Sequence, residues 1–248
     1  MIQIKNAAEL QKMRKACAIS AAALKAGGEA IEPGITTAEI DKIIYDFIVR
    51  HGARPNFLHL YGFPATACIS VNDTVIHGIP NKQQQIRPGD IVSIDTGCKI
   101  DGFNGDNACT YACGKIDLEA QRLLDVTKES LHRGIEMACG GNRVGDIGHA
   151  VQSYVEENGF SVVRTFVGHG VGKELHEDPE VPNFGNAGRG PRLVPGMCIA
   201  VEPMVCQYKY AVKTCDGGLA AHFEHTMAIT TAGAEVLTHG WEEPGWTL

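Results

Sequence analysis

The sequence has neither of the apolar segments that mark a membrane or secreted protein. It contains no run of 18 apolar residues, and charges at helical spacing occupy the first thirty residues, where a signal peptide would have its apolar region. Basic residues are also scarce: 22 Lys and Arg stand against 29 Asp and Glu, giving a net charge of -7. Since phosphate binding needs clustered positive charge, we expect no specific nucleic-acid partner. Because the apolar segments are missing, we expect a soluble cytoplasmic protein with no membrane partner.

Paired cysteine motifs are missing as well. The nine cysteines form an odd set with no C-x-x-C pair and no framework spacing in a chain of 248 residues. Such a set is typical of reduced thiols in a cytoplasmic protein. Low-complexity tracts and linkers are absent too, and the 44% hydrophobic content is ordinary for a globular chain. We therefore predict a single domain over residues 1–248.

Four segments carry the pattern of amphipathic helices. The first two open with capping boxes, Asn6-Ala7-Ala8-Glu9 and Thr36-Thr37-Ala38-Glu39, and continue with apolar residues at helical spacing. Two later segments repeat that spacing before Gly159. After each helix pair, short β-branched runs between turn signals predict sheet, first over about 66–111 and then over about 161–230.

The order of helix pair and then sheet therefore occurs twice. Two runs, Pro88–Asp95 and Pro195–Glu202, match locally: each opens with Pro-Gly, continues as an apolar strand and reaches a carboxylate seven positions after the proline. We predict an α/β fold of two pseudo-symmetric halves, about 7–113 and 117–230, in which Asp95 and Glu202 approach a common centre. Coincidence between two buried strands is the alternative.

Asp95 and Asp106 are predicted to lie on the two arms of one hairpin. Asp101-Gly102 between them is a strong signal for a two-residue type I′ turn. In that register residue 95 faces residue 108, and Asp106 lies on the same strand face, which places the two acids about 7–8 Å apart at Cα. Two solvated acids at strand ends are the alternative, and the pair alone does not decide between them.

Three further residues extend the pair into a set of metal-ligand type. They are His169 between glycines, Glu202 before proline, and Glu224 in Phe223-Glu224-His225-Thr226. Four carboxylates and one imidazole suit two divalent ions with bridging carboxylates, whereas a thiolate zinc site is not indicated. The flanking glycines allow a close backbone approach to a metal centre, although a glycine-flanked histidine is also common in plain loops.

Seven short motifs follow one another along the chain. They are Cys68-Ile69-Ser70-Val71-Asn72 to His77-Gly78-Ile79-Pro80, Ile94-Asp95-Thr96-Gly97, Asp101-Gly102-Phe103-Asn104-Gly105-Asp106, Gly168-His169-Gly170-Val171-Gly172, His176-Glu177-Asp178-Pro179, Val201-Glu202-Pro203-Met204 and Phe223-Glu224-His225-Thr226. Together they resemble the motif set of the methionine aminopeptidases. The resemblance covers nearly the whole chain and implies the pita-bread fold, in which antiparallel sheet is covered by two helix pairs.

The resemblance implies a role for each motif residue. Asp95, Asp106, His169, Glu202 and Glu224 would be the ligands of a two-metal centre, with Asp106 and Glu224 bridging. The metals would be manganese, iron, cobalt or zinc, between which an oxygen-rich ligand set does not discriminate. The interval from His176 to Glu202 is too short for the helical insertion of the type II enzymes, so the type I form fits.

The resemblance also implies catalytic and substrate-binding residues beside the metals. Glu202 would carry a proton from water to the leaving amine, and the non-ligand histidines His77 and His176 would contact the scissile amide and its carbonyl oxygen. Phe63 and Cys68 would line the pocket for the methionine side chain.

The chain departs from the family pattern at several positions around that pocket. Leu60 and Leu175 stand where tyrosine and phenylalanine are common, and Asn104 replaces a frequent histidine. A tryptophan-bearing stretch between Glu202 and Glu224 is shortened.

Nascent polypeptide N-termini are the substrate that the resemblance implies, for a monomeric enzyme whose docking to the ribosome is left open. Two alternatives exist. A proline-directed aminopeptidase or dipeptidase of the same fold would share the five ligands, and a ribosome-associated binding protein on the same scaffold would lack activity.

Overall fold

A computed structural model describes residues 1–207, 214 and 217–241 of the chain. Within these ranges no helix has the length and apolar character needed to cross a bilayer. None of the eight cysteines that fall in them forms a disulfide, in agreement with the expectation from the sequence.

Four helices form two pairs, as predicted. They are α1 (Ala7–Glu29), α2 (Thr37–Arg50), α3 (Leu118–Met137) and α4 (Val144–Glu157). The capping boxes at Asn6 and Thr36 are both formed, so the two signals read from the sequence fix the starts of α1 and α2.

The largest sheet is antiparallel and curls beneath the helices. Its main path runs β1-β3-β4-β11-β8-β6-β7, with β2 beside β3 and β12 beside β11. The strands are β1 (Arg54–Pro55), β2 (Ala67–Val71), β3 (Ile91–Ile100), β4 (Phe103–Ala112), β6 (Gly168–Gly170), β7 (Glu177–Val181), β8 (Cys198–Val201), β11 (Glu224–Ile229) and β12 (Ala234–Val236). Strand β11 thus joins the strands of the first half to those of the second.

The β3–β4 hairpin has the predicted turn and register. Asp101 and Gly102 have φ angles of 52° and 84°, as a type I′ turn requires. Residue Asp95 pairs with Ala108, two positions from Asp106 on the same strand face.

The second sheet-like region is more divided than the sequence suggested. A separate three-stranded sheet contains β5 (Ser161–Val162), β9 (Met204–Cys206) and β10 (Ala220–His222) in the order β10-β9-β5. Strand β12 also lies beyond the predicted end at residue 230. Strands of two or three residues carry too little alternation to be assigned from sequence.

Helix α1 lies unusually close to the hairpin. A Cβ atom at Gly105 on β4 would stand 2.6 Å from the backbone nitrogen of Cys17, and one at Gly27 would stand 2.7 Å from the Ile44 side chain. Glycine at these positions lets α1 approach both the sheet and α2. The close packing gives the hairpin that carries Asp95 and Asp106 a rigid support.

Candidate metal centre

Three of the candidate carboxylates lie in one row across neighbouring strands. Asp95 on β3 and Glu224 on β11 both pair with Ala108 of the intervening β4. His225 pairs with Val201, so Glu224 stands opposite Glu202, the residue that directly follows β8. The small Ala108 side chain leaves room between its acidic neighbours. The register of these strands therefore brings together the side chains of Asp95, Glu202 and Glu224 from distant parts of the chain.

His169 enters the same centre from β6. A Cβ atom at Gly168 would lie 2.3 Å from the Ala200 carbonyl oxygen, and one at Gly170 would lie 2.2 Å from that of Asp178. Because glycine has no Cβ atom, the backbones of neighbouring segments can pack directly against residues 168 and 170. From the sequence, these glycines were expected to let the backbone approach a metal; in the structure, carbonyl groups occupy the space that their Cβ atoms would need.

The side-chain atoms converge within coordination distance. Ligand atoms of Asp106, His169 and Glu224 all lie within 4.8 Å of one another. His169 Nε2 is 3.6 Å from Asp106 Oδ2 and also 3.6 Å from Glu202 Oε1. These gaps exceed hydrogen-bond length, and they suit atoms that each contact one cation at about 2.0–2.6 Å.

The protonation state of His169 also suits a ligand. Burial, followed by the effect of His176, lowers the pKa of His169 to about 4, so its imidazole is neutral at pH 7. Its Nδ1 lies 2.9 Å from the Gly170 carbonyl oxygen, to which only an N–H can donate. The Nε2 lone pair is therefore left facing two carboxylates, an unfavourable arrangement that a cation between them relieves.

Burial perturbs all four carboxyl groups of the centre. Burial raises the pKa of Asp95 to about 7 and raises the pKa of Asp106, Glu202 and Glu224 well above the usual range, and repulsion among the acids adds to the effect on the latter three. Asp95 Oδ1, Asp106 Oδ1 and Glu224 Oε1 are buried without a hydrogen-bond partner. Such orphaned oxygens fit divalent metal ligation.

The two predicted non-ligand histidines border the centre. The His176 ring lies edge-on to the His169 ring, with 4.5 Å between centroids. Both histidines are exposed at the surface, and partial burial of their rings lowers the pKa of each, with the proximity of His77 adding to the effect on His176. His77 has a left-handed backbone with φ of 59°, a conformation that is uncommon for a residue with a side chain and that concentrates at functional sites.

An apolar cluster adjoins the acids. The predicted residues Phe63 and Cys68 belong to one hydrophobic cluster, in which Phe57, Cys68 and Leu175 are buried and Leu60 and Phe63 are half-buried. Cys68 pairs with Asp95 across β2 and β3, which places the cluster directly beside the candidate metal centre. Burial raises the pKa of the Cys68 thiol, so it remains an uncharged wall.

The structure shows contacts of Asn104 and His222 that the sequence did not predict. Asn104 donates from Nδ2 to the carbonyl oxygens of Gly172 and Lys173 at 2.8 and 3.0 Å, which fixes the loop leading to His176. His222 is buried with Nε2 3.7 Å from Glu202 Oε2. A lone histidine outside any motif gives no signal by spacing.

The shortened stretch between Glu202 and Glu224 falls largely on residues 208–213, 215 and 216, outside the described residues.

Comparison with known proteins gives full-length matches. The model of metallopeptidase family M24 matches residues 11–231. A methionine aminopeptidase of Clostridium perfringens is 52% identical over 247 residues, with 96% of this chain and 99% of that protein covered. The crystal structure of a methionine aminopeptidase from Thermotoga maritima superposes with a TM-score of 0.95 at 41% identity, covering 97% of this chain and all of that one.

A more distant likeness is to a longer protein. The prolidase of Pyrococcus furiosus superposes with a TM-score of 0.81 at 25% identity, and 96% of this chain covers only 65% of that prolidase.

Proposed function

The chain belongs to metallopeptidase family M24 and has the pita-bread fold, and on that premise we propose that it removes the N-terminal methionine of polypeptides by metal-dependent hydrolysis of the first peptide bond. The carrying observation is the convergence of Asp95, Asp106, His169, Glu202 and Glu224 beside an apolar cluster. Full-length identity of 52% to a methionine aminopeptidase supports the same activity.

The family uses divalent metal, and we assign the five converging residues as its ligands. Asp106 and Glu224, whose ligand atoms lie within 4.8 Å of each other and of His169, are the candidates to bridge two ions. Manganese, iron, cobalt or zinc all suit this oxygen-rich set with one imidazole. When bound, such ions supply Lewis-acid polarisation and make hydroxide available near neutral pH.

The protein's own side chains would then handle the proton and the amide. Glu202, whose Oε1 lies 3.6 Å from His169 Nε2, would take the proton from water and deliver it to the leaving amine. Neutral His176 can donate a hydrogen bond to the carbonyl oxygen as negative charge grows there. His77, held by its left-handed backbone, can orient the scissile nitrogen or the residue that follows.

Metal contact and shape together account for the proposed specificity. The free α-amine, which only the first residue of a polypeptide has, would sit against the metals, so cleavage would be restricted to the first peptide bond. The cluster that contains Phe63 and Cys68 is apolar and uncharged, as a thioether side chain requires, and is proposed to form its pocket. A methionine in the pocket therefore presents the first peptide bond to Glu202 and His176.

The biological setting follows the same proposal. Nascent polypeptides in the cytoplasm are the substrates, the enzyme acts as a monomer, and docking to the ribosome would bring it to them. The two halves, about 7–113 and 117–230, are proposed to be a structural repeat within one catalytic domain, because each contributes a helix pair and metal ligands to the shared centre.

A peptide panel tests the proposal. The chelated protein is assayed on Met-Ala-Ser, Leu-Ala-Ser and Ala-Pro-Ser after addition of Mn²⁺, Fe²⁺, Co²⁺ or Zn²⁺ separately. Fastest release of methionine before a small residue, and no release after chelation, are expected. Faster cleavage of Ala-Pro-Ser than of Met-Ala-Ser would show that the protein is a proline-directed enzyme instead. A protein that binds no divalent ion in metal analysis would instead be a binding protein.

A further inference from the structure

His222 occupies a buried position that none of the roles above uses. Its side chain is on β10, which belongs to the small three-stranded sheet, and it is 2% exposed. Its Nε2 atom has no hydrogen-bond partner among the described residues. A buried polar atom without a partner is costly, so its retention calls for an explanation.

The backbone of His222 is held tightly. Thr110 Oγ1 on β4 accepts the His222 N–H at 2.8 Å and donates to the His222 carbonyl oxygen at 2.9 Å. A further hydrogen bond of 2.8 Å joins Thr110 Oγ1 to Ser93 Oγ on β3. These bonds attach His222 to the same hairpin that carries Asp95 and Asp106. The imidazole is therefore presented from a rigid frame.

The imidazole faces one oxygen of Glu202. His222 Nε2 lies 3.7 Å from Glu202 Oε2, whereas His169 Nε2 lies 3.6 Å from Glu202 Oε1. Each carboxylate oxygen thus has its own imidazole nitrogen. His169 presents a lone pair on its side, because its Nδ1 carries the proton. A neutral imidazole has one N–H, and once metal ligation ionises Glu202 the His222 tautomer with the proton on Nε2 is favoured beside its oxygen.

We propose that His222 is a positioning residue for Glu202, donating from Nε2 to Oε2 so that Oε1 is directed toward the metal site shared with His169. This role rests on the proposed function, because it deepens the part assigned to Glu202. The observed gap exceeds hydrogen-bond length by about half an ångström, and such contacts often shorten when the site is loaded. Outer-shell donors of this kind orient a ligand carboxylate and tune its affinity for metal.

Two substitutions of nearly equal shape test the donor itself. His222→Gln keeps an N–H donor, and His222→Met removes it at similar volume. Mn²⁺ binding to the chelated proteins is measured by calorimetry, and kcat and KM are measured separately on Met-Ala-Ser. We expect His222→Met to weaken Mn²⁺ binding about 10–100-fold and to lower kcat more than KM changes. His222→Gln should recover most of both losses.

His225 provides a matched control. It is also buried, but its side chain points to the face of β11 opposite that of Glu224. There its Nδ1 lies 3.0 Å from Thr238 Oγ1 and its ring stacks on Trp241. His225→Gln is expected to lower the melting temperature while Mn²⁺ affinity stays within a factor of about two of the parent value. An equal loss of Mn²⁺ affinity in His225→Gln and His222→Met would overturn the proposal, because it would mean a general effect of packing.

A measurement on the parent protein does not depend on any variant folding. A crystal structure with Mn²⁺ bound should show His222 Nε2 within about 3.2 Å of Glu202 Oε2. A separation above about 3.5 Å, or equal Mn²⁺ affinities of the Met and Gln variants, would refute the positioning role and leave the proposed function intact. A parent protein that binds no Mn²⁺ and cleaves no Met-Ala-Ser would refute both.

Discussion

Lys5 and Glu177 form a buried ion pair across 172 positions of the chain, with 2.7 Å between Nζ and Oε2. Their side chains are only 4% and 8% exposed. Lys5 precedes α1, whereas Glu177 directly follows His176 at the start of β7. The pair therefore ties the segment before the first helix to the loop that carries a proposed catalytic histidine.

Breaking this pair on one side should be strongly destabilising. Lys5→Met leaves the Glu177 carboxylate buried without its cation, and we expect the free energy of unfolding in urea to fall by about 3–5 kcal/mol. Combining Lys5→Met with Glu177→Met should recover part of the loss, because no unpaired charge remains. Arg14→Met is the control: its partner Glu235 and Arg14 are 38% and 37% exposed. That change should cost about 1 kcal/mol or less.

Removal of a proposed ligand should abolish metal binding and activity together. Asp106→Ala and His169→Ala are each expected to lower kcat/KM on Met-Ala-Ser by more than about 100-fold, since loss of an outer-shell partner alone costs about 10–100-fold. Asp101→Asn in the turn of the same hairpin is the matched control, because asparagine tolerates its positive φ angle. If Asp106→Ala retained full Mn²⁺ binding in calorimetry, the assigned centre would be wrong.

Stability without metal should fall as pH rises from about 6.5 to 8. The pKa of Asp95 in the folded chain is about 7, and those of Asp106, Glu202 and Glu224 are also raised, above all by burial. The folded state then binds more protons than the unfolded state, whose carboxyl groups have lost theirs near pH 4. Rising pH therefore costs stability as these buried groups ionise.

Below this range a second effect has the opposite sign. The pKa of His169 is lowered to about 4 and that of His222 to about 3, chiefly by burial, so charging them on unfolding favours the unfolded state as pH falls below about 6.5. Melting temperatures in EDTA between pH 6.5 and 8 isolate the carboxylate effect. Addition of Mn²⁺ should reverse the trend, because ligation favours the ionised carboxylates. A flat profile in EDTA would contradict the buried cluster.

The apolar pocket should control the choice of first residue. Phe63→Ala removes a half-buried wall, and we expect kcat/KM on Met-Ala-Ser to fall about 10-fold or more through the lost packing of the thioether chain. Mn²⁺ affinity should be unchanged, since Phe63 is not among the proposed ligands. Equal losses on Met-Ala-Ser and Ala-Ala-Ser would show that Phe63 does not contact the methionine side chain.

Local chemistry made part of this architecture predictable. The Asp101-Gly102 turn allows only two residues between its strands, so it fixes the register of Asp95 against Ala108. The capping boxes at Asn6 and Thr36 fix helix starts in the same way, through contacts within four residues. Such features need no knowledge of the remainder of the chain.

The pairing of strands from distant parts of the chain was harder to predict from individual residues. The opposition of Glu224 and Glu202 depends on β11 pairing with β8, which no local signal specifies, and the order of the motifs supplied it only through family resemblance. His222 was missed because a single histidine has no period and no partner in sequence. The three-stranded sheet was missed because its strands are too short to alternate.

The position of β11 between β4 and β8 has a consequence for the timing of activity during synthesis. Glu224 is translated more than a hundred codons after Asp106, yet the two carboxylates must share one centre. A chain still emerging from the ribosome, with β11 not yet extruded, has only an incomplete set of ligands. On the proposed ligand assignment, the newly made protein is therefore expected to become active only after nearly all of it has been synthesised.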